Sequence, residues 1–153
     1  MTAQKKLKNL ATLPGGGKNY YIAFMKVLDL ANAESCTLQD ILKEMGLNKS
    51  QAAIFQQLDL WETENDIVAL HSRGQTLLQQ HHRNETEGKN TLFELLQGRY
   101  VGLREIVDFL QRRDNLSIQE IHEHINKELN LKWKTTTQTS TRLNWLQCLD
   151  VIH

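Results

Sequence analysis

The chain has 153 residues, which suits one globular domain or two small ones. Its apolar content of 40% and charged content of 24% exclude an intrinsically disordered chain, and no apolar run approaches the ~18 residues of a membrane span. The formal net charge is zero, so any attraction to a polyanion has to come from a local concentration of charge.

Residues 1–19 are predicted to form a flexible basic arm, because Pro14-Gly15-Gly16-Gly17 interrupts any helix there. The run ending in Lys18 lacks the spacer and the following hydroxyl residue of a phosphate-binding P-loop. It also lacks an apolar segment of the kind that makes a signal peptide, so we expect neither function from this end of the sequence.

Apolar periodicity predicts three helices in the next part of the chain: 20–33, 38–45 and 49–61. Thr37 and Asn48 are the expected N-caps, and Gly46 supplies the turn between the second and third helices. Helix, short turn and helix is the pattern of a helix-turn-helix.

A short strand is predicted at Ile67-Val-Ala-Leu70, followed by another helix from residue 75. This strand together with Leu70, Gly74, Leu77 and Leu78 resembles the wing exit of winged-helix proteins. Residues 20–80 are therefore predicted to form a first winged-helix domain with a short β-wing.

The polar, aperiodic residues 81–91 predict a linker. A long connecting helix over 92–111 follows, then helices over 118–129 and 137–149, with Ser117 and Glu120 as a capping box. Residues 92–153 thus repeat the helix order as a second helix-turn-helix domain. Its wing is expected to be truncated, as in a piece of a longer parent protein.

Positive charge is concentrated near the two ends of the sequence. Residues 1–18 contain four lysines and no acidic residue, and residues 132–147 contain three cations and no acidic residue. Since the chain has 18 cationic and 18 acidic residues in total, the remaining segments hold 11 cations, 18 acids and a net charge of −7. Such a local field can steer a polyanion although the sum is zero.

On these apolar and turn positions, residues 20–152 resemble a tandem winged-helix array. The ending Ser140-Thr-Arg-Leu143-Asn-Trp145-Leu146-Gln-Cys-Leu149-Asp-Val-Ile152 resembles the recognition helix in DNA-recognition parts of restriction endonucleases, including type IIS enzymes. Similar tandem modules occur in C-terminal segments attached to some bacterial ABC-type ATPases. The first resemblance implies sequence-specific duplex binding, and the second implies regulation with no proven nucleic-acid ligand.

The second helix-turn-helix is the predicted DNA reader. Lys132 and Lys134 are expected to contact phosphates, and Thr135 lies where a helix N-terminus meets an anion. The helix face opposite its leucines carries side chains that suit base edges: Thr137, Ser140, Thr141, Asn144 and Gln147. Arg142 is a base reader by residue type, but the helical wheel places it on the apolar side, so a structural arginine is the alternative.

The first copy supplies three further candidate DNA contacts: Lys49, Gln56 and Arg73. Four acidic residues follow its last helix closely and repel phosphate: Asp59, Glu62, Glu64 and Asp66. A structural or protein-contacting copy is therefore the alternative for this half.

No arrangement of residues predicts catalysis or a cofactor. The paired histidines at 81–82 and 122–124 do not predict a metal site, because the two members of each pair point to different sides of a helix.

The predicted fold class is mainly α, a tandem winged helix-turn-helix with a long connecting helix. The predicted function is double-stranded DNA binding, as the recognition module of a prokaryotic restriction or other DNA-processing system or as a transcriptional regulator. The alternative is a regulatory protein-interaction or dimerisation module. Two cysteines without ligand spacing favour a reduced, cytoplasmic protein. Expected partners are duplex DNA, a second copy or a larger parent protein, and no membrane.

Overall fold

A computed structural model describes residues 5–33 and 36–152. It confirms a mainly helical fold with a small antiparallel sheet. The helices are α1 (Tyr20–Ala31), α2 (Leu38–Met45), α3 (Lys49–Gln57), α4 (Ser72–Arg83), α5 (Glu85–Arg99), α6 (Leu103–Arg112), α7 (Ile118–Glu128) and α8 (Thr137–Cys148), and the strands are β1 (Trp61–Glu64) and β2 (Ile67–Leu70). Across these described segments, none of the helices combines the length and apolarity that a membrane crossing needs.

The turn between α2 and α3 is three residues long, because local chemistry stops one helix and starts the next. Gly46 ends α2 in the left-handed region at φ 65°, where a Cβ is costly. Asn48 then caps α3 by accepting from the amide of Gln51 at 2.8 Å, and the Gln51 side chain accepts from the Asn48 amide at 3.0 Å. The predicted N-cap Thr37 likewise accepts from the amide of Asp40 at 3.1 Å.

A hairpin follows α3, with β1 and β2 paired antiparallel from Trp61 opposite Leu70. The sequence predicted only the second strand and assigned Trp61 to a helix. Instead α3 ends at Gln57, and the turn between the strands places Asn65 and Asp66 at φ 50° and 65°, the two positive values that a tight hairpin turn requires.

An isolated antiparallel β-bridge between Thr37 and Ile67 joins the hairpin to the start of α2. The amide of Leu38 donates to the carbonyl of Asp66 at 2.7 Å, and the amide of Val68 donates to the carbonyl of Cys36 at 2.9 Å. These bonds fix the hairpin beside α2 and α3.

The predicted linker 81–91 is helical and belongs to two closely packed helices, α4 and α5. Asn84 separates them and caps α5, accepting from the amides of Thr86 and Glu87 at 2.9 and 3.3 Å. Gly88 permits the close packing, since a Cβ there would lie 3.0 Å from the Cα of His81 on α4. Apolar periodicity misses this segment because the contact depends on the absence of a side chain.

The predicted long helix 92–111 is two helices, α5 and α6, separated at residues 100–102. Gly102 breaks the helix at φ 94°, and Tyr100 is extended. Tyr100 forms a parallel bridge with Leu7, whose amide donates to the carbonyl of Arg99 at 2.8 Å and whose carbonyl accepts from the amide of Val101 at 2.9 Å. The break therefore provides a pairing site for the N-terminal segment.

That segment, the N-terminal strap (residues 5–13), packs on the helical body, unlike the flexible arm predicted for residues 1–19. Leu10 and Leu13 are buried. The amide of Leu10 donates to Gln138 Oε1 at 2.9 Å, and the Ala11 carbonyl accepts from Trp145 Nε1 at 2.9 Å. Residues 1–4 lie outside the described residues, so nothing is said of that part of the arm.

A line of aromatic rings connects the hairpin with α8 through the core. Phe55 stacks on Trp61 with ring centroids 4.7 Å apart and on Phe24 at 4.4 Å, and Phe24 meets Trp145 edge-on at 6.0 Å. Buried residues from both predicted domains belong to this one hydrophobic cluster. The division at residues 81–91 into two domains stays a prediction.

Candidate nucleic-acid interface

The loop before α8, the basic loop (residues 129–136), is fixed by one asparagine on α7. Asn126 Nδ2 donates to the carbonyl of Trp133 at 2.8 Å, and Asn126 Oδ1 accepts from the Trp133 amide at 3.2 Å. Ser117 and Glu120 cap α7 as predicted, with both bonds of the capping box present. The basic loop spans eight residues, longer than the three- to four-residue turn of a standard helix-turn-helix.

Polar and cationic side chains surround the start of α8. Lys132, Lys134, Thr135 and Thr137 are exposed, and neither lysine forms an ion pair within the described part of the chain. The side-chain oxygen of the N-cap Thr136 accepts no hydrogen bond from the helix, so it leaves the first-turn amides uncapped. Uncapped amides, the positive end of the helix dipole and two lysines together make a site for an anion.

The predicted reading face of α8 is only partly accessible. Thr137 and Gln147 are exposed, and Ser140 and Asn144 are half-buried along the same side of the helix. Thr141 is only 3% exposed, and its hydroxyl donates to the carbonyl of Thr137 at 2.9 Å. This burial removes Thr141 from the candidate contacts.

Asn144 on this face is partly covered by the short 3-10 turn Gly17–Asn19 that precedes α1, whereas Gln147 is exposed. A Cβ on Gly17 would lie 2.6 Å from the Cγ of Asn144, so the Gly17 backbone packs directly against the Asn144 side chain. Burial raises the pKa of Tyr20, and the neighbouring Asn144 side chain opposes that rise. Asn144 is therefore packed within the protein, and the exposed positions of the face are Thr137 near the start of α8 and Gln147 near its end.

Arg142 is fully buried and holds three segments together, so the structure does not place it among DNA-contacting residues. Its Nε donates to the carbonyl of Val101 at 2.7 Å, and its Nη2 donates to the carbonyl of Lys8 at 2.7 Å. Its Nη1 donates to Gln138 Oε1 at 2.6 Å, and the guanidinium lies 4.5 Å from the ring centre of Trp133. Burial lowers the pKa of Arg142 to about 10. The helical-wheel alternative, a structural arginine, matches this position.

The three candidates of the first copy do not lie together on one face. Lys49 is exposed at the start of α3, whereas Gln56 and Arg73 line one cleft at the far end of that helix. Arg73 Nη1 donates to the carbonyl of Leu58 at 3.2 Å. Lys49 and the cleft therefore have to be treated as separate sites.

The hairpin beside them is acidic and exposed, with no cation between its first and last acids: Asp59, Glu62, Glu64 and Asp66. His71, which sequence reasoning missed, contacts two of these acids, one just before β1 and one at its start. Its Nε2 lies 3.4 Å from Glu62 Oε2 and its Nδ1 lies 2.9 Å from Asp59 Oδ1. The hydrogen bonds to Glu62 and to Asp59 raise the pKa of His71.

In residues 5–33 and 36–152, no group of three or more His, Cys, Asp or Glu side chains is placed to hold a metal ion. His122 Nδ1 contacts Thr139 Oγ1 at 3.2 Å, and the ring of His124 stacks on Phe109 at 3.7 Å. Burial raises the pKa of Cys36 and raises that of Cys148 to about 11, so both thiols are protonated at neutral pH.

Comparisons with protein-family models, curated proteins and solved structures found no match to the chain. Its function therefore has to be inferred from the geometry and charge of the residues described above.

Proposed function

We propose that the chain is a tandem winged-helix protein that binds double-stranded DNA through the basic loop and the start of α8. One observation carries the proposal: Lys132 and Lys134 are exposed beside an uncapped helix N-terminus, in a stretch without acidic residues. Phosphate oxygens are the natural ligand of such a combination of cations and backbone amides.

The order of elements supports a winged helix in the first half. In chain order these are α1, the bridge at Thr37, α2, a three-residue turn, α3 and the hairpin of β1 and β2. The second copy would comprise α6, α7 and α8, with the longer basic loop in place of the tight turn. In that arrangement α8 corresponds to the recognition helix.

On duplex DNA, Lys132, Lys134 and Thr135 would contact the phosphate backbone. Thr137 and Ser140 would reach base edges by hydrogen bonding or through the threonine methyl group. Gln147 lies beyond the turn Gly17–Asn19 and would contribute only at the margin of the site. A module of this kind suits a restriction or other DNA-processing system, or a transcriptional regulator.

Fluorescence polarisation with a random-sequence duplex across a salt series tests the proposal. The double substitution Lys132→Glu, Lys134→Glu should weaken binding and reduce the slope of log K against log salt by about 2, since each phosphate contact contributes about 0.9 to that slope. The matched control is Lys26→Glu, Lys43→Glu, which makes the same change in charge at exposed positions of α1 and α2. Equal weakening by both pairs would show a non-local charge effect and refute the site.

A second candidate function, protein interaction, is favoured by the acidic hairpin. Four exposed carboxylates in residues 59–66 directly precede β2, and its first residue, Ile67, is 47% exposed. Such a surface repels phosphate and suits a regulatory partner or a second copy of the chain. Light scattering that shows a stable dimer, with no duplex binding at low salt, would favour this function over DNA binding.

A further inference from the structure

We propose that a cleft at the end of α3 binds a phosphate group, independently of the basic loop. This arginine cleft has a volume of about 620 Å³ and lies between the last residues of α3, the start of α4 and the last turns of α5. The residues that carry the proposal are Gln57, Asp59, Arg73, Glu94, Gly98 and Arg99.

Two arginines in the cleft are anchored without being neutralised. Arg73 Nη1 donates to the carbonyl of Leu58 at 3.2 Å, and Arg99 Nε donates to the neighbouring carbonyl of Gln57 at 3.2 Å. Arg99 also reaches the carbonyl of Lys5 at 2.9 Å. Within the described ranges neither guanidinium has a carboxylate within 4.0 Å. Because a guanidinium has five N–H donors, each retains donors for an anion.

The acidic residues of the cleft have other partners. Asp59 contacts His71 Nδ1 at 2.9 Å, and Glu94 contacts Arg104 Nη2 at 3.4 Å. Among the described residues, Arg73 and Arg99 are therefore the cations of the cleft without a carboxylate partner, and neither Asp59 nor Glu94 pairs with them.

Gln57 adds a neutral donor to the same wall. Its Oε1 accepts from the hydroxyl of Tyr100, which leaves the amide nitrogen to donate to a ligand. Two guanidinium groups and an amide are the donor set that recognises phosphate oxygens, because guanidinium matches their spacing in a bidentate manner. The volume lies in the range of small-molecule sites. A phosphate-bearing small molecule and a nucleic-acid backbone share this chemistry.

Gly98 permits a test that keeps the fold. It lies in α5 at the cleft wall, and a Cβ there would meet nothing within 4 Å. Gly98→Glu would place a carboxylate beside the arginines, and Gly98→Gln adds the same volume without the charge. Inorganic pyrophosphate should bind the unmodified chain and Gly98→Gln with dissociation constants within about threefold of each other, and Gly98→Glu about tenfold more weakly.

Isothermal titration calorimetry of pyrophosphate into the full chain measures these affinities. Arg73→Gln, which changes the α4 side of the cleft and not the α5 side that holds Gly98, should also weaken binding. The absence of saturable binding, or equal affinities of Gly98→Glu and Gly98→Gln, would overturn the proposal. The Lys26→Glu, Lys43→Glu pair should leave pyrophosphate binding unchanged. The ratio of the affinities of Gly98→Glu and Gly98→Gln reports on the cleft alone, so this proposal and DNA binding at the basic loop can fail separately.

The same variants identify the source of the phosphate group. If Gly98→Glu weakens pyrophosphate binding but leaves duplex binding unchanged, the ligand is a free phosphate-bearing molecule. If it weakens duplex binding to the same extent, the cleft contacts the nucleic-acid backbone.

Discussion

Replacing Arg142 with methionine tests whether this residue holds the fold together or reads DNA. Methionine retains much of the apolar stem and removes the guanidinium. The carbonyls of Val101 and Lys8 and the side chain of Gln138 would each lose a donor. The N-terminal strap, the break between α5 and α6, and α8 would then no longer share a polar contact.

The expected loss follows from two opposing contributions. Hydrogen bonds to a charged group contribute about 2 kcal/mol each, or roughly 6 kcal/mol for the three acceptor groups. Burial lowers the pKa of Arg142 to about 10, which corresponds to a penalty of about 3 kcal/mol on the cation that methionine would not suffer. The difference predicts a net destabilisation of about 3 kcal/mol for Arg142→Met.

Urea and thermal unfolding monitored by circular dichroism measure this loss. For a chain of this length, about 3 kcal/mol corresponds to a fall in Tm of roughly 6–12 °C. Arg112→Met is the control, because Arg112 is exposed on α6 and its removal should change stability by less than about 0.5 kcal/mol. If the urea midpoint and Tm of Arg142→Met equal those of Arg112→Met, and Arg142→Met instead weakens duplex binding, the structural role assigned to Arg142 is wrong.

Two further predictions concern the hairpin and the helix break. Because Glu62 and Asp59 raise the pKa of His71, its protonated form stabilises the hairpin below the ordinary pKa of 6.5, and this contribution is lost as pH rises through the higher folded value. The urea midpoint should therefore fall more between pH 6 and 8 (about the range of histidine titration) for the unmodified chain than for His71→Gln, and parallel midpoints would contradict it. Gly102→Ala should lower the free energy of unfolding by about 1–2 kcal/mol, because the φ of Gly102 is 94°. Gly98→Ala should raise it by about 0.5–1 kcal/mol, because the added Cβ meets open space in a helix. Thermal unfolding measures both changes, and changes of the same sign would refute this contrast.

Helix starts were predictable from sequence because capping is a local property. Thr37, Asn48 and Ser117 each accept a hydrogen bond from an amide three residues further on, as their residue types require. No tertiary contact is needed for this preference, so the starts of α2, α3 and α7 could be placed closely.

The N-terminal strap and the pairing of α4 with α5 were not predictable by the same means. Leu10 and Leu13 stand in a short segment without periodicity, and their burial depends on partners more than 100 residues away. Gly88 reads as a helix breaker in sequence, but in the structure it is where α5 approaches His81. Both features follow from tertiary packing, which overrides local propensity.

The candidate site was predicted in part. The helical wheel gave the direction of the buried side of α8, but it did not show how many residues on either edge of that side are also buried. Leu146 and Leu149 are buried as expected, and Arg142 lies between them. Thr139 and Thr141 extend the buried side in both directions, and the strap and the turn before α1 supply the atoms that cover it. Those covering segments belong to the opposite end of the sequence.

This packing changes the kind of DNA recognition that α8 would support. A recognition helix reads sequence through several turns that face the major groove. Here only Thr137 and Gln147 of the polar face are exposed, Ser140 and Asn144 are half-buried, and the charged groups, Lys132 and Lys134, suit phosphates. Contacts to phosphate position a protein without specifying sequence. The proposed duplex binding would therefore depend strongly on salt and discriminate weakly between sequences, and stronger specificity would require the first copy or a partner chain to supply base contacts.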